Sequence, residues 1–400
     1  MDFVILGAGQ AAASLSAKLR ALSAEASITV IGDESAPPYQ RPPLSKAYLL
    51  GEMPIERLTL RADAWWEEQN IRLLTGCKAL RIDRDAKRIE TTQGPVTYDR
   101  LALTLGATPR RLPDALGGDL GGVHCVRSIA DIEALKGELR SGRNLVVIGG
   151  GYIGLEAAAV ARKLGLNVTV VEAAPRILGR VAAAETASMI RDVHHANGVT
   201  ILEGTGLQAL RGQGHVETVA LSDGRSLPAD LVVLGIGIAP ETSLAAEAGL
   251  QIENGIACDE QGQTSDPAIW AAGDCASFPW HGQRIRLESV GNAIDMAELV
   301  AENMLGAQKA YAPKPWFWSD QYDAKLQIAG LSAGYDQIVF RPGDSSHSGS
   351  VWYYANDALI AVDALNDARA YMVGKRLIES GRTPDPKLVA DPAIAVKELM

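Results

Sequence analysis

Two glycine-rich segments of the sequence have the spacing that places a phosphate group against the backbone. They are residues 7–12, GAGQAA, and residues 149–154, GGGYIG. In such segments the first glycine permits a tight turn, the second lets the backbone approach a pyrophosphate, and the small third residue lets helix and strand touch. The helix that follows offers unpaired N–H groups to the phosphates. The spacing therefore indicates that the chain binds two dinucleotides.

Each glycine segment lies within a strand–loop–helix–strand order. A short apolar run precedes each loop, at residues 3–6 and 145–148, and predicts a strand that is buried on both faces. A helical stretch follows, ending near Leu22 in the first copy and near Gly165 in the second. The next apolar runs, 28–31 and 168–171, complete two βαβ units. The full order, found twice, is a far stronger signal than a glycine motif alone.

An acidic residue follows the second strand of each unit and is expected to bind a ribose diol. Glu172 follows its strand directly, whereas Gly32 occupies that position in the first unit, so its acid comes one residue later as Asp33 or Glu34. A carboxylate about 5 Å from a 2′-phosphate costs roughly 3 kcal/mol per phosphate charge at an effective dielectric of about 20. Glu172 thus favours NADH over NADPH, although Arg176 could soften this preference.

Composition and charge exclude several classes of function. The net charge of −10 argues against a nucleic-acid partner, because phosphate binding needs a basic face. No apolar run reaches the roughly 18 residues of a membrane span. The four cysteines are far apart without a C-x-x-C motif, which indicates reduced thiols and a cytoplasmic protein. The neighbours His194 and His195 cannot point the same way on a helix, so no metal site is expected.

The rest of the chain continues as strands and turns. The run 268–272 predicts another buried strand, and Asp274 lies just beyond it, where open α/β sheets bind ligands. Asp274 could also cap a following helix. Near the C-terminus, residues 324–330, 337–341 and 350–365 are strand-like, the last with a turn at Asn356-Asp357, before a helical stretch around 368–380.

Several stretches together resemble the FAD-dependent NADH:ferredoxin reductases that serve bacterial oxygenases, including aromatic dioxygenases. These reductases are a branch of the glutathione-reductase-like flavoproteins. The stretches occur in the family's order over nearly the whole chain: GAGQAAA, PYQRPPLSKAYL, TLGATPR, VVIGGGYIGLE, GDC, RLESVGNA and PWFWSDQYD. The resemblance implies an α/β fold with two Rossmann-like dinucleotide-binding domains and a small α+β C-terminal domain. It also implies electron transfer from NADH through FAD to a 2Fe–2S ferredoxin.

The resemblance implies three domains and assigns one dinucleotide to each glycine loop. The FAD domain is discontinuous, residues 1–110 and 240–315, and the NADH domain, 111–239, is inserted in it. Residues 316–400 form the C-terminal domain. The residues that the family uses for the two cofactors correspond here to Gly7, Gly9, Ala11, Ala12, Asp33, Arg41, Ala79, Arg127, Asp274 and Val290 for FAD, and to Gly149, Gly151, Ile153, Gly154 and Glu172 for NADH.

The catalytic residues that the resemblance implies are Lys46 and Glu156. The family places this lysine near flavin N5 and this glutamate where nicotinamide arrives, and opposite charges in a partly dry site hold each other ionised. Without the family, Lys46 is a solvated helix lysine and Glu156 a first-turn helix glutamate. Trp318 is expected to pack near the flavin on the acceptor side, although aromatic clusters are more often core.

A ferredoxin partner requires a basic patch on this acidic protein, because such ferredoxins are usually acidic. Arg284, Arg286, Lys314 and Lys325 are candidates, each with the alternative of an ordinary solvated side chain. Two other functions fit the same fold. An NADH oxidase or peroxidase needs a redox cysteine early in the chain, where residues 35–50 have none. An NADH-sensing protein, similar to apoptosis-inducing flavoproteins, needs no turnover.

Overall fold

The computed structural model describes residues 1–345 and 347–400, and the chain divides into two units. Each unit is built from three separate stretches. The first unit comprises Met1–Gln40, Pro54–Thr108 and Ile238–Pro315, and the second comprises Arg41–Met53, Pro109–Gly237 and Trp316–Met400. Three of the changeovers lie within two residues of the domain boundaries expected from the sequence. The segment Arg41–Met53, in contrast, groups with the second unit.

The first unit is built on a five-stranded parallel sheet whose central strand is Asp2–Leu6. Phe3, Val4, Ile5 and Leu6 are at most 3% exposed, as expected for an apolar run covered on both faces. In spatial order the strands are Ile269–Ala271, Arg100–Leu103, Asp2–Leu6, Ser27–Ile31 and Ile71–Leu74.

Two long helices of this unit, Gln10–Leu22 and Val290–Met304, pack against each other. Small side chains are common among their buried residues, including Ala12 and Ala13 on the first helix and Ala293 and Ala297 on the second. Two small three-stranded sheets and three short helical segments complete the unit. They are Ala79–Asp83, Arg88–Thr91 and Val96–Thr97; Ile256–Ala257, Ala276–Trp280 and Gln283–Ile285; and Ile55–Arg57, Asp63–Glu68 and Ser243–Glu247.

The second unit contains a second five-stranded parallel sheet with the same arrangement around its glycine loop. In spatial order its strands are Thr200–Leu202, Asn167–Val171, Asn144–Ile148, Leu231–Leu234 and Val123–His124. The helices of this part are Pro42–Ser45, Asp114–Leu116, Ile129–Lys136, Tyr152–Lys163 and Ala184–Ala196. A small antiparallel sheet is formed by Leu207–Arg211, Thr218–Leu221 and Ser226–Pro228. Two further short strands, Ala107–Pro109 and Ile238–Pro240, lie where the chain changes unit.

The C-terminal part of the second unit is a five-stranded antiparallel sheet covered by the helix Ala368–Glu379. The predicted turn at Asn356-Asp357 is confirmed, with φ of 49° and 62° at these residues, the conformation of a tight hairpin. In spatial order the strands are Trp316–Gln321, Ala324–Gly330, Ala358–Leu365, Gly349–Ala355 and Gln337–Pro342. The last helical segments are Pro386–Ala390 and Val396–Leu399.

The fold class expected from the sequence is confirmed: two parallel dinucleotide-binding sheets and a separate C-terminal sheet with helices. In the two stretches that the structure describes, no helix is both long and apolar enough to cross a bilayer.

A buried carboxyl group, Asp363, joins the C-terminal sheet to the helix Ala184–Ala196. Its Oδ2 accepts hydrogen bonds from the hydroxyl of Tyr353 and from Thr186 Oγ1, the latter at 2.8 Å. Its Oδ1 has no hydrogen-bond partner among the described residues. Burial raises the pKa of Asp363 from 3.8 to about 6, against the opposing effect of the two hydroxyl donors.

We predict that Asp363→Asn stabilises the protein more at alkaline than at acidic pH. The folded-state pKa lies above the unfolded value, so the contribution of Asp363 to stability is full below pH 3.8 and is lost as the pH rises through about 6. The total loss corresponds to about 3 kcal/mol, of which about half falls between pH 5 and pH 8.

The measurement is denaturant unfolding of both proteins at pH 5 and pH 8, with Asp336→Asn as a control at an exposed position of the same unit. If the difference in unfolding free energy between Asp363→Asn and wild type does not grow with pH, the raised pKa of Asp363 is contradicted.

Candidate functional site

The first glycine loop connects the central strand of the first sheet to the helix Gln10–Leu22. Gly7 has φ of +104°, and its N–H donates to the Ile31 carbonyl at 2.8 Å. A Cβ atom at Gly7 would collide with the Thr104 carbonyl, so only glycine fits this position. Ala12, at the third position, is fully buried. The loop is therefore fixed by the protein at its first and third small residues.

The second glycine loop repeats this geometry. Gly149 has φ of +105°, its N–H donates to the Val171 carbonyl at 2.8 Å, and an added Cβ would collide with the Gly235 carbonyl. At the third position, a Cβ on Gly154 would strike the Gly149 carbonyl, which explains why this copy has glycine where the first has Ala12. Ile153, beside it, is 44% exposed.

The middle glycines, Gly9 and Gly151, are not required by the protein itself. Their φ values are −103° and −81°, which any L-residue adopts, and an added Cβ would meet no described atom within 4 Å at either position. Each lies at the N-terminus of a helix of twelve or more residues, where unpaired N–H groups favour an anion. The residues present therefore fit a dinucleotide pyrophosphate at both loops.

Asp274 lies beside the first glycine loop, within the first unit. It follows Gly273, whose φ is +82° and whose Cβ would be 3.2 Å from the Cβ of Ala11. The alternative of a helix N-cap is wrong, because the chain continues into the strand Ala276–Trp280. Val290 is the first residue of its helix, so its N–H has no acceptor within the helix. Both positions can present polar groups to a ligand.

The acids of the two units differ in how they are held. Glu172 accepts hydrogen bonds from two backbone N–H groups, with Oε2 at 2.6 Å from Gly150 N and Oε1 at 2.7 Å from Ala174 N. Its carboxylate is thus held against the glycine loop. Asp33 is exposed, whereas its neighbour Glu34 accepts a hydrogen bond from the Tyr39 hydroxyl at 2.6 Å.

Lys46 and Glu156 meet within the second unit, although 110 residues separate them in sequence. The Lys46 ammonium lies 2.7 Å from Glu156 Oε2, and the Glu156 side chain is only 2% exposed. Lys46 also donates to the Pro42 carbonyl at 3.3 Å. The alternative of a solvated lysine is therefore wrong, and so is that of a first-turn glutamate, because Glu156 is the fifth residue of the helix Tyr152–Lys163. A dry carboxylate needs such a partner, because desolvation of an unpaired charge is costly.

Two serines complete the surroundings of Glu156, and the sequence analysis missed both. Ser45 Oγ donates to Oε2 at 2.6 Å, and Ser319 Oγ donates to Oε1 at 2.7 Å. Ser45 precedes Lys46 at the end of a short 3₁₀ helix, and Ser319 lies on the strand Trp316–Gln321. The one available signal was the period of two in a strand, which places Ser319 and Gln321 of PWFWSDQYD on one face.

Three other expected FAD contacts, Arg41, Arg127 and Ala79, lie at positions whose geometry does not indicate a ligand. Arg41 is the N-cap residue of the 3₁₀ helix Pro42–Ser45 and donates from Nη1 to the Arg127 carbonyl at 2.7 Å, so these two arginines are neighbours. Ala79 is buried at the start of its strand, paired with Thr91. Their roles toward FAD stay predictions.

Trp318 belongs to an aromatic group on the C-terminal sheet. Its ring stacks on Trp316 with centroids 5.3 Å apart and an interplanar angle of 19°. The Lys375 ammonium lies 5.7 Å from the Trp316 ring centroid, within the range of a cation–π contact. Lys325 and Tyr371 line the same shallow cavity. The indoles are partly exposed and are not part of a core.

The four cysteines are buried and unpaired. Burial raises the pKa of Cys258 to about 12 and that of Cys275 to about 11, and it also raises the pKa of Cys125. A thiol acts as a nucleophile or redox group only as the thiolate. Burial therefore disfavours the thiolate form of Cys125, Cys258 and Cys275.

The chain resembles known proteins over its full length. Residues 1–297 match the family described as pyridine nucleotide-disulphide oxidoreductase, and residues 316–400 match the family described as reductase C-terminal. A ferredoxin–NAD(P)(+) reductase of a Sphingomonas species is 42% identical, with 100% of this chain and 97% of that protein covered. Putidaredoxin reductase of Pseudomonas putida is 40% identical, with 100% and 96% covered.

A solved structure matches equally well. The crystal structure of the covalent putidaredoxin reductase–putidaredoxin complex contains a chain that is 39% identical, with a TM-score of 0.95. The match covers 100% of this chain and 97% of that chain.

We predict that Gly9→Ala weakens FAD binding without unfolding the protein. The new methyl group meets no atom of the described residues within 4 Å, so the stability of the flavin-free protein stays within about 0.5 kcal/mol of wild type. The methyl group takes the space of the pyrophosphate, and such overpacking costs about 1–3 kcal/mol, or roughly 5- to 150-fold in the dissociation constant.

The measurement is titration of flavin-free protein with FAD, together with its thermal unfolding. Gly7→Ala is the matched control, because its Cβ collides with the Thr104 carbonyl and the fold itself should lose stability. An unchanged FAD dissociation constant in Gly9→Ala would show that this glycine does not face the cofactor.

Proposed function

The chain belongs to the pyridine nucleotide-disulphide oxidoreductase family, and from this premise we propose that it is the reductase of an oxygenase system. It transfers electrons from NADH through FAD to a small 2Fe–2S ferredoxin. Full-length similarity to ferredoxin reductases and to the putidaredoxin reductase chain of the covalent complex supports this activity.

The observation that carries the proposal is that two complete nucleotide loops occur in a chain without a redox thiol. In the disulphide-reducing branch of the family, electrons pass to cysteines of the same protein. Here all four cysteines are buried and unpaired, and none occurs in residues 35–50. Electrons that enter from a nicotinamide therefore leave to an acceptor outside the chain. The same observation counts against an NADH oxidase or peroxidase that depends on a redox cysteine.

The residues that fit FAD are those of the first glycine loop with Asp274 and Val290, and those that fit NADH are the second loop with Glu172. When bound, FAD supplies the conversion between a two-electron donor and one-electron acceptors. The protein contributes position and electrostatics. In the proposed arrangement Lys46 and Glu156 orient the nicotinamide, and the ammonium of Lys46 compensates negative charge that accumulates during electron transfer.

Glu172 supports NADH as the electron donor. Its carboxylate is held by Gly150 N and Ala174 N, so it cannot turn away from a bound adenosine ribose without losing two hydrogen bonds. A diol can donate to this carboxylate, whereas a 2′-phosphate meets a fixed negative charge. Arg176 donates to the Ala183 carbonyl at 3.3 Å, which engages its guanidinium within the protein.

Docking of an acidic ferredoxin is supported by only some of the basic residues expected from the sequence. Arg284 donates to the carbonyls of Cys258 and Ser277 and pairs with Glu253 at 3.2 Å. Arg286 donates to the Asn254 carbonyl and pairs with Glu288 at 2.5 Å. These two arginines have structural partners. Lys314 and Lys325 are exposed and stay candidates. Lys375, beside the Trp316 indole, is a further candidate.

A cytoplasmic location is part of the proposal. It is supported by four thiols that remain unpaired, as is usual in reducing compartments.

The proposed function predicts a yellow protein that NADH reduces faster than NADPH and that then reduces a 2Fe–2S ferredoxin. The purified full-length protein is examined for a flavin spectrum, mixed with each nicotinamide, and assayed with ferredoxin, ferricyanide and oxygen as acceptors. Ferredoxin reduction should slow as salt rises, because screening weakens docking between charged surfaces, while ferricyanide reduction stays level.

Three results would contradict the proposal in different ways. A colourless protein that does not take up FAD would exclude a flavoprotein. Oxygen consumption as fast as ferredoxin reduction would favour an oxidase. Absence of turnover with every one-electron acceptor would favour an NADH sensor.

We predict that Glu172→Gln reduces the preference for NADH over NADPH by about tenfold or more, because it removes the charge that repels a 2′-phosphate. The measurement is kcat/KM for both nicotinamides with ferricyanide as acceptor. Glu217→Gln, an exposed position in the same unit, is the control for an equal change in net charge. If the ratio of kcat/KM for NADH to that for NADPH is the same in wild type and Glu172→Gln, Glu172 does not determine the choice of cofactor.

A further inference from the structure

A line of buried polar side chains continues from Glu156 away from Lys46. Ser319 Oγ, which donates to Glu156 Oε1, lies 3.0 Å from Gln321 Nε2. Gln321 Oε1 in turn lies 2.7 Å from His194 Nε2. Ser319, Gln321 and His194 are each at most 1% exposed. A hydrogen-bonded line of four residues thus joins two helices of the second unit through the strand Trp316–Gln321.

The direction of each hydrogen bond in this line follows from the carboxylate at its end. The Glu156 carboxylate pairs with the Lys46 ammonium and accepts at Oε1, so Ser319 donates its hydroxyl hydrogen there. The Ser319 oxygen can then only accept, which requires the amide nitrogen of Gln321 on its side. The amide oxygen is thereby turned toward His194, which must donate from Nε2–H. The amide orientation and the histidine tautomer are both assigned by this logic.

The state of His194 agrees with this direction. Burial lowers the pKa of His194, against the opposing effect of the hydrogen bond to Gln321. A neutral ring with hydrogen on Nε2 has a bare Nδ1, and Nδ1 has no hydrogen-bond partner among the described residues. An unprotonated Nδ1 tolerates the lack of a partner, whereas a protonated Nδ1 would be a buried donor without an acceptor.

We propose that Ser319, Gln321 and His194 are positioning residues that hold the Glu156 carboxylate in one orientation for the nicotinamide. The inference rests on the proposed function, since that function places Glu156 against the nicotinamide. Oε2 is held by Ser45 and Lys46, so without Ser319 the carboxylate can pivot about that side. Three of its roughly four acceptor positions are then occupied by the protein, and the fourth lies on Oε1.

The role assigned to these residues is one of orientation and not of proton conduction. The amide of Gln321 stands between Ser319 and His194, and an amide does not pass a proton along the line without leaving its stable tautomer. His194 therefore acts on Glu156 only through the fixed amide. Each residue type in the line is then required: a hydroxyl, a side chain with one donor and one acceptor, and a neutral N–H donor.

The kinetic test compares Ser319→Ala and Gln321→Leu with Ser319→Thr, which keeps the hydroxyl. We expect the first two to lower the rate of flavin reduction at saturating NADH by about tenfold or more, with the NADH dissociation constant within about twofold of wild type. Ser319→Thr should restore most of the rate. Asp320→Asn, on the other face of the same strand, is the matched control and should behave as wild type.

A second readout needs no activity. The ¹⁵N NMR signals of His194 in the flavin-loaded protein should show a protonated, slowly exchanging Nε2 and a bare Nδ1, and Gln321→Leu should shift the Nε2–H signal. This readout separates the two proposals. A protein with the expected His194 signals but no response to NADH would contradict the proposed function and leave the hydrogen-bond line standing.

Either of two results would overturn the inference itself. One is a hydrogen on Nδ1 of His194 in place of Nε2. The other is a kinetic result: an unchanged rate in Ser319→Ala, or a loss of NADH affinity and thermal stability that Ser319→Thr does not reverse, which would indicate a structural role only.

Discussion

The second unit depends on keeping the carboxylate of Glu156 ionised in a nearly dry place. A charge that is 2% exposed needs hydrogen-bond donors close to it, and two separate stretches of chain supply them. Lys46 and Ser45 come from the segment Arg41–Met53, which follows the first changeover between units, and Ser319 comes from the last stretch, Trp316–Met400. The segment Arg41–Met53 therefore groups with residues far from it in sequence, and the hydrogen bonds of Ser45 and Lys46 to Glu156 are part of this contact.

The two nucleotide loops show which parts of a motif serve the fold and which serve a ligand. Gly7 and Gly149 have a backbone conformation and a carbonyl contact that exclude any side chain. Gly9 and Gly151 have neither this backbone conformation nor this contact. The absence of a side chain there is therefore explained by a bound ligand and not by the fold. The second strand ends differently in each copy, with Glu172 held by two N–H groups and Asp33 exposed. One architecture thus presents a fixed acid in one copy and an unconstrained acid in the other.

The elements that depend on local sequence pattern could be predicted from the sequence alone. The strands before and after each glycine loop, the helices between them and the hairpin at Asn356-Asp357 all follow from short-range periodicity and turn chemistry. The meeting of Lys46 with Glu156 was expected only from the family resemblance, because no periodicity relates residues 110 positions apart. Ser45, Ser319 and Gln321 were missed for the same reason, and His194 was considered only as a metal ligand.

Other expectations depended on neighbours that a sequence does not reveal. Asp274 was given a possible capping role, but a strand follows it. Arg284 and Arg286 were expected to attract a partner, but backbone carbonyls and nearby acids engage them. The divergence of His194 and His195 was correctly foreseen from helical geometry, since one is buried and the other exposed.

The strand Trp316–Gln321 has two faces, with Phe317, Ser319 and Gln321 on one and Trp316 and Trp318 on the other. Side chains of a strand alternate, so a slip of one residue would exchange the faces and direct an indole at the carboxylate. An insertion or deletion of one residue in this strand would therefore disrupt the contact with Glu156, whereas a point substitution keeps the register. Evolutionary change of the indole face is therefore confined to substitutions at constant length, one side chain at a time.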